Sequence, residues 1–232
     1  MTMTETTAHQ PLTGADPRDG LPSMLWGYAM IHDAILRDTG RLPGALGRVR
    51  DRADADRMSD WLRLFETAIV HHHEREDDLI FPFLAERCGF NPGELTADHH
   101  VLDELFGELV GAIDLMRGAP ETTDHDVRHA VAVATELDQV MVRHLQVEEL
   151  AVFPVVARHV EVEEWRAIEQ EIQKDSSVRD AAFALPWVLE GANPAYVDHL
   201  RDDLPLPFRI INALFWKRAY DRVAAPLQAV AS

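Results

Sequence analysis

One cysteine is all the chain has. Cys88 alone leaves no disulfide framework and no thiolate metal site within a single chain. Basic residues are scarce as well: 22 Lys and Arg stand against 40 Asp and Glu, a formal net charge of −18 with histidine neutral. Nucleic acids and anionic membrane surfaces are recognised through basic patches, so neither is an expected partner. No apolar run reaches the length of a membrane span. Met1 to Gly20 lacks the basic and apolar regions of a secretion signal, and a reducing cytoplasm is the expected compartment. Strand signals are missing: there is no sustained alternation, and no Asn-Gly or Asp-Gly turn joins two alternating runs. Nor is there a Ser-His-Asp set or a phosphate-cradling glycine loop.

The chain is rich in histidine and acid instead. His71-His72-His73-Glu74-Arg75-Glu76-Asp77-Asp78 is followed closely by Phe81-Pro82. On a helix His72 and Glu76, four residues apart, share one face. His73 is rotated by about 100° and reaches the same space from the flank. The pattern then recurs. His72 and His144, Glu76 and Glu148, Phe81 and Phe153, and Pro82 and Pro154 are each 72 residues apart. Imidazole with carboxylate is a ligand set for borderline transition metals, iron among them, and a carboxylate can bridge two ions. One such motif would read as a solvated helix face. Two copies in register favour a metal.

Taken in order, residues 1–20 lack periodicity and are rich in Thr, Pro, Gly and Asp, as expected of a disordered arm. A first helix opens at Pro22-Ser23, carries His32 with Tyr28 one turn before it, and is expected to fade at Thr39-Gly40. Residues 40–53, with three glycines and a proline, read as a connection that can be helical in part. A second helix over about 53–87 carries His72, His73 and Glu76, and Pro82 should kink it. A third, about 93–117, carries His99 with Asp103 one turn on. A fourth, about 124–159, carries His144 and Glu148. His129 and His159 each lie 15 residues from His144, about 22 Å along a helix, and belong to the surface. Four long amphipathic helices with short connections predict an all-α, antiparallel four-helix bundle over 21–160. Residues 161–232 form a C-terminal helical extension. Its apolar residues, including Trp187, Phe208, Phe215 and Trp216, are expected to pack on the bundle or across a homodimer.

One histidine on helix one, His-His-x-x-Glu on helix two, one on helix three and His-x-x-x-Glu on helix four resembles the hemerythrin-like domain, the HHE cation-binding family. The resemblance spans about residues 23–160. The adjacent pair His72-His73 is similar to that of bacterial members, and the extension after residue 160 to that of actinobacterial ones. It implies two iron ions, bridged by two carboxylates and an oxo or hydroxo group. By motif the ligands would be His32, His72, His73, Glu76, His99, His144 and Glu148, with the two glutamates bridging. One departure matters: oxygen-carrying members place two histidines four apart on the third helix, whereas here Asp103 follows His99. Other bundle sites fit worse. Ferritin-like di-iron proteins use Glu-x-x-His, and a zincin needs His-Glu-x-x-His, where this chain has Asp77 in the last place.

The resemblance implies a small ligand: O2, hydrogen peroxide or NO. Turnover would make the protein an oxidoreductase, with Asp103 and Tyr28 as tentative catalytic groups near the metals. Reversible binding would make it a carrier, or an iron or redox sensor read out through the extension.

Overall fold

The computed structural model describes residues 16–174, 177–203 and 206–230, and every regular element among them is helical. Four segments build the bundle: α1 (Trp26–Leu46), α2 (Arg52–Arg75) continued by α3 (Phe81–Cys88), α4 (Glu94–Gly118) and α5 (Asp124–His159). Local chemistry starts them. Asp51 accepts a hydrogen bond from the Asp54 N–H at the head of α2. Thr123 and Asp126 form a reciprocal cap at the head of α5. Gly89 ends α3 in the left-handed region.

The core has two apolar clusters, and the histidines and glutamates lie between them. On α1, Ala29 belongs to one cluster and Ile35 to the other, with His32 between. On α4, Leu95 and Leu102 flank His99 in the same order. On α5 the order reverses: Leu145 precedes Glu148, and Val152 follows it. Ile69 and Ile80 bracket the second-helix set in that reversed order too. This alternation is what an antiparallel bundle requires.

Helix α1 does not fade at Gly40. It runs to Leu46 through Gly40, Pro43 and Gly44, because Leu42, Ala45 and Leu46 are buried and burial outweighs weak propensity. Gly44 serves a close approach: a Cβ there would sit 2.8 Å from Val230 Cγ1. The second helix is not interrupted by a simple kink at Pro82 either. A single π turn, Glu76–Ile80, widens it just before the proline, and the Phe81 N–H bonds back to the Glu76 carbonyl. Pro154, in the equivalent place, lies inside an unbroken α5. The expected disordered arm does not take in residues 16–20. Residues 1–15 lie outside the described residues, but 16–20 form a turn that sets Arg18 against Asp33 and Glu149.

Beyond the bundle, α6 (Val162–Lys174) lays Trp165 over the cluster around Tyr28. Helices α7 (Val178–Leu189) and α10 (Lys217–Gln228) each pack against both α1 and α2. Phe183, Trp187, Tyr220, Ala224 and Leu227 thereby join the larger core cluster. Asp38, 1 % exposed, anchors this packing. It accepts from Trp187 Nε1 at 2.9 Å, from Arg37 Nη2 at 2.7 Å and from Arg41 Nη1 at 3.1 Å. Between them α8 (Pro194–Asp203), α9 (Leu206–Ile211) and a second π turn (Asn212–Trp216) complete the chain. Here the expected packing is not met within one chain: Phe208 and Trp216 are only half-buried, and Phe215 is 65 % exposed. The amphipathic run faces its charged side and part of its apolar side outward.

These positions predict opposite outcomes for two aromatic residues of the extension. Trp187→Ala should destabilise the fold by about 3–5 kcal/mol, as large buried side chains do. Phe215→Ser should change it by less than about 0.5 kcal/mol. Urea unfolding of the two variants checks both.

Candidate metal centre

Five histidines and two glutamates converge in the layer between the apolar clusters. His32, His72, His73, Glu76, His99, His144 and Glu148 are all buried. Their ligand atoms fall into two groups: His73, His99 and His144 in one, and His32, His72, Glu76 and Glu148 in the other. The glutamates join the groups. Glu76 places Oε1 3.0 Å from His72 Nε2 and Oε2 3.3 Å from His99 Nε2. Glu148 places Oε1 3.6 Å from His32 Nε2 and Oε2 3.4 Å from His144 Nε2.

Buried polar atoms are normally hydrogen-bonded. Here Nε2 of His32, His72, His73, His99 and His144, and one oxygen of each glutamate, have no such partner on the protein. Nitrogen and carboxylate oxygen, orphaned together and aimed at a shared interior, are the donor set of a divalent or trivalent transition metal. The residues present therefore fit a metal.

Tyr28 lies closer to the chemistry than a core aromatic would. Its hydroxyl is 2.6 Å from Glu76 Oε1 and 2.5 Å from Glu148 Oε1. A phenol has one proton to give. The hydroxyl therefore lies where it can donate to either carboxylate. Burial pushes the Glu76 carboxyl well up, and the neighbouring Glu148 adds to this. Burial acts on Glu148 in the same sense, but His32 and His144 outweigh it and hold that carboxyl below its usual range. Burial and the same two acids push the Tyr28 phenol well above its ordinary value, so it keeps its proton.

On the other side His73, pushed down to about 4 chiefly by burial, is held as a neutral imidazole able to bind a metal. Asp103 is not brought into the interior. Its carboxylate is 48 % exposed and 3.8 Å from His73 Nδ1, an ion-pair distance and not a hydrogen bond. His129 and His159 are on the surface.

The outer acids are what sequence reasoning missed. Asp77 accepts from His99 Nδ1 at 2.8 Å and also holds Thr96 Oγ1 at 2.7 Å. Glu149 accepts from His32 Nδ1 at 2.9 Å. Such contacts fix the ring and leave Nε2 free to bind. A signal for them was present: Asp77 and Glu149 are 72 residues apart, each directly after its glutamate. The repeat therefore extends one position further than the ligands. The repeated phenylalanines belong to it too. Phe81 stacks on His99 at 6.0 Å and Phe153 on His32 at 6.1 Å.

A comparison of the sequence with known families matches the hemerythrin HHE cation binding domain over residues 28–156. No curated protein and no solved structure matched the chain. The matched region covers more than half of the chain and contains all seven converging side chains. With the family's match and a His/Glu cluster suited to a cation on the same four helices, the chain belongs to the hemerythrin HHE cation-binding domain family.

Proposed function

We propose that this protein is a non-heme di-iron protein that binds a small ligand and turns it over, with hydrogen peroxide best suited to its proton chemistry. The observation that carries the two-metal reading is the span of each glutamate. One oxygen of Glu76 and one of Glu148 lie beside a histidine of one group, and the other oxygen beside a histidine of the other. Carboxylates so placed can serve two cations at once. Imidazole and carboxylate together suit iron. When bound, an iron pair offers an open position for O2, NO or peroxide and can exchange two electrons.

The chain's own residues supply the rest. Three imidazoles, from His73, His99 and His144, would saturate one position more fully than His32 and His72 saturate the other. Tyr28 stands on the two-histidine side, with its ring 4.8 Å from that of His32 and 5.7 Å from that of His72. It retains its proton and can deliver it from Oη to a ligand held there. Phe153 and Trp165 pack beside Tyr28 and keep bulk water away. Peroxide dismutation matches this equipment. One peroxide is reduced to water while another is oxidised to O2, so no outside reductant is needed. Protons must move from one oxygen to another, and Tyr28 is placed for that. A carrier or sensor would need no such donor.

Protein loaded with iron should hold two irons per chain and show the near-ultraviolet charge-transfer bands of a di-ferric pair. Glu76→Ala and Glu148→Ala should each lose most of the second iron, while His129→Ala and His159→Ala keep both, as measured by metal analysis. If all four keep two irons, the glutamate assignment is wrong.

Oxygen release from hydrogen peroxide tests the reaction. Tyr28→Phe should retain its iron yet evolve oxygen about 100-fold more slowly, the scale of a lost general acid. Reversible O2 binding with no peroxide consumption by the unaltered protein would identify a carrier instead.

A further inference from the structure

The four helices do not hold His32 by themselves. Its outer partner, Glu149, is 6 % exposed and sits next in sequence to Glu148, so a second carboxylate is buried against an already acidic layer. An unpaired charge in such a place is strongly unfavourable. The compensating cation comes from outside the bundle. Arg18, in the turn before α1, donates from Nε to Glu149 Oε2 at 2.9 Å and from Nη2 to Glu149 Oε1 at 2.5 Å. This two-pronged geometry fixes the plane of the carboxylate as well as its charge. Glu149 Oε1, the oxygen that Arg18 grips, is also the one that receives His32 Nδ1 at 2.9 Å.

The Arg18 segment is itself tied down on both sides. The Arg18 backbone N–H bonds to Asp16 Oδ1, the Leu21 N–H returns to the Arg18 carbonyl, and Trp26 Nε1 donates to the Leu21 carbonyl. Arg18 Nη1 reaches Asp33 on α1 at 2.5 Å. Leu21 is buried in the cluster that contains Tyr28. The equivalent acid, Asp77, needs no such strap: it is 28 % exposed and is steadied by Thr96 from α4. The two sides of the centre are thus held in different ways, one within the bundle and one by a segment that folds over its end.

We infer that Arg18 is a positioning residue for the metal centre: by clamping Glu149 it aims His32, and so the segment preceding the bundle governs retention of metal on the His32/His72 side. This rests on the metal reading given above. It assigns a role to a residue outside the matched domain region.

The experiment follows metal loss from the full chain to an excess of chelator, with iron and separately with cobalt(II) loaded. Arg18→Met should release one metal about 10-fold faster than the unaltered protein, the low end of the affinity range lost with a ligand's direct partner, because Arg18 acts through Glu149, while the other metal stays. Arg18→Lys, which keeps the charge but not the fork, should fall between. Arg63→Met, which removes an arginine from an exposed pair with Asp114, should release metal at the unaltered rate. Thermal unfolding separates positioning from stability: Arg18→Met leaves the buried Glu149 carboxylate without its cation and should unfold below the parent when metal-free, and further below it when both are loaded with metal. Release at the parent rate would overturn the inference, and so would equal destabilisation with and without metal. The parent's own iron count decides the functional reading independently. The ratio of variant to parent, taken with either metal, decides this one.

Discussion

Two carboxylates with no solvent exposure are the constraint on which the rest depends. Burying one ionised carboxylate costs on the order of several kcal/mol even after relaxation, and Glu76 and Glu148 lie side by side at 0 % exposure. Nothing in the apolar clusters repays that. The Tyr28 hydroxyl lies against both carboxyl groups. A cation held by the same residues would offset their charge, and its binding would then depend on pH. The buried imidazoles answer the same need. Nδ1 of His32 and of His99 is engaged by Glu149 and Asp77, which leaves Nε2 of each facing the interior.

The repeat explains much of the geometry and its exceptions explain the chemistry. The set His, Glu, acid, Phe and Pro recurs on α2 and α5 with one spacing, and each half backs a histidine on a neighbouring helix. Two positions break the pattern. His73 has Leu145 as its counterpart, which adds a nitrogen donor on one side only. Tyr28 precedes His32 by four residues, while Leu95 precedes His99 by four, which adds a hydroxyl on the other side only. Near-symmetry thus supplies two adjacent groups of ligand atoms, and the departures make them unequal: one rich in nitrogen, one beside a hydroxyl.

Beyond Trp165, the extension has a share in this centre from outside it. Helices α1 and α2 carry His32 and His72, and α7 and α10 pack across both. The buried Asp38 gathers Arg37, Arg41 and the Trp187 indole, and Glu190 accepts from Tyr220 at 2.5 Å, so the seam is closed by a satisfied polar network. Such networks rigidify when complete. The side of the centre with fewer histidines is therefore braced by the C-terminal helices near one apolar cluster and by Arg18 near the other.

By itself the sequence carried the helical class, the four bundle segments and the repeated histidine and glutamate pairs, while His32 and His99 joined them through the resemblance to a family. Helical periodicity and a 72-residue repeat are local or translational patterns, and both are legible along a chain. It misjudged Gly40 to Leu46, where burial of Leu42 and Leu46 carries a helix through glycine and proline that locally favour a break. It left open whether Phe215 packs on the bundle or across a homodimer, since an apolar residue on an amphipathic run does not say whether a partner surface exists within the chain. It left Tyr28 between core and catalysis, because the distance to Glu76 and Glu148 spans 48 and 120 residues. Only the tertiary structure decided that contact, the reach of Arg18 to Glu149 and the withdrawal of Asp103 to the rim. The reason is the same in each case: these relations are set by how helices rotate and approach one another, and no spacing within one helix encodes that.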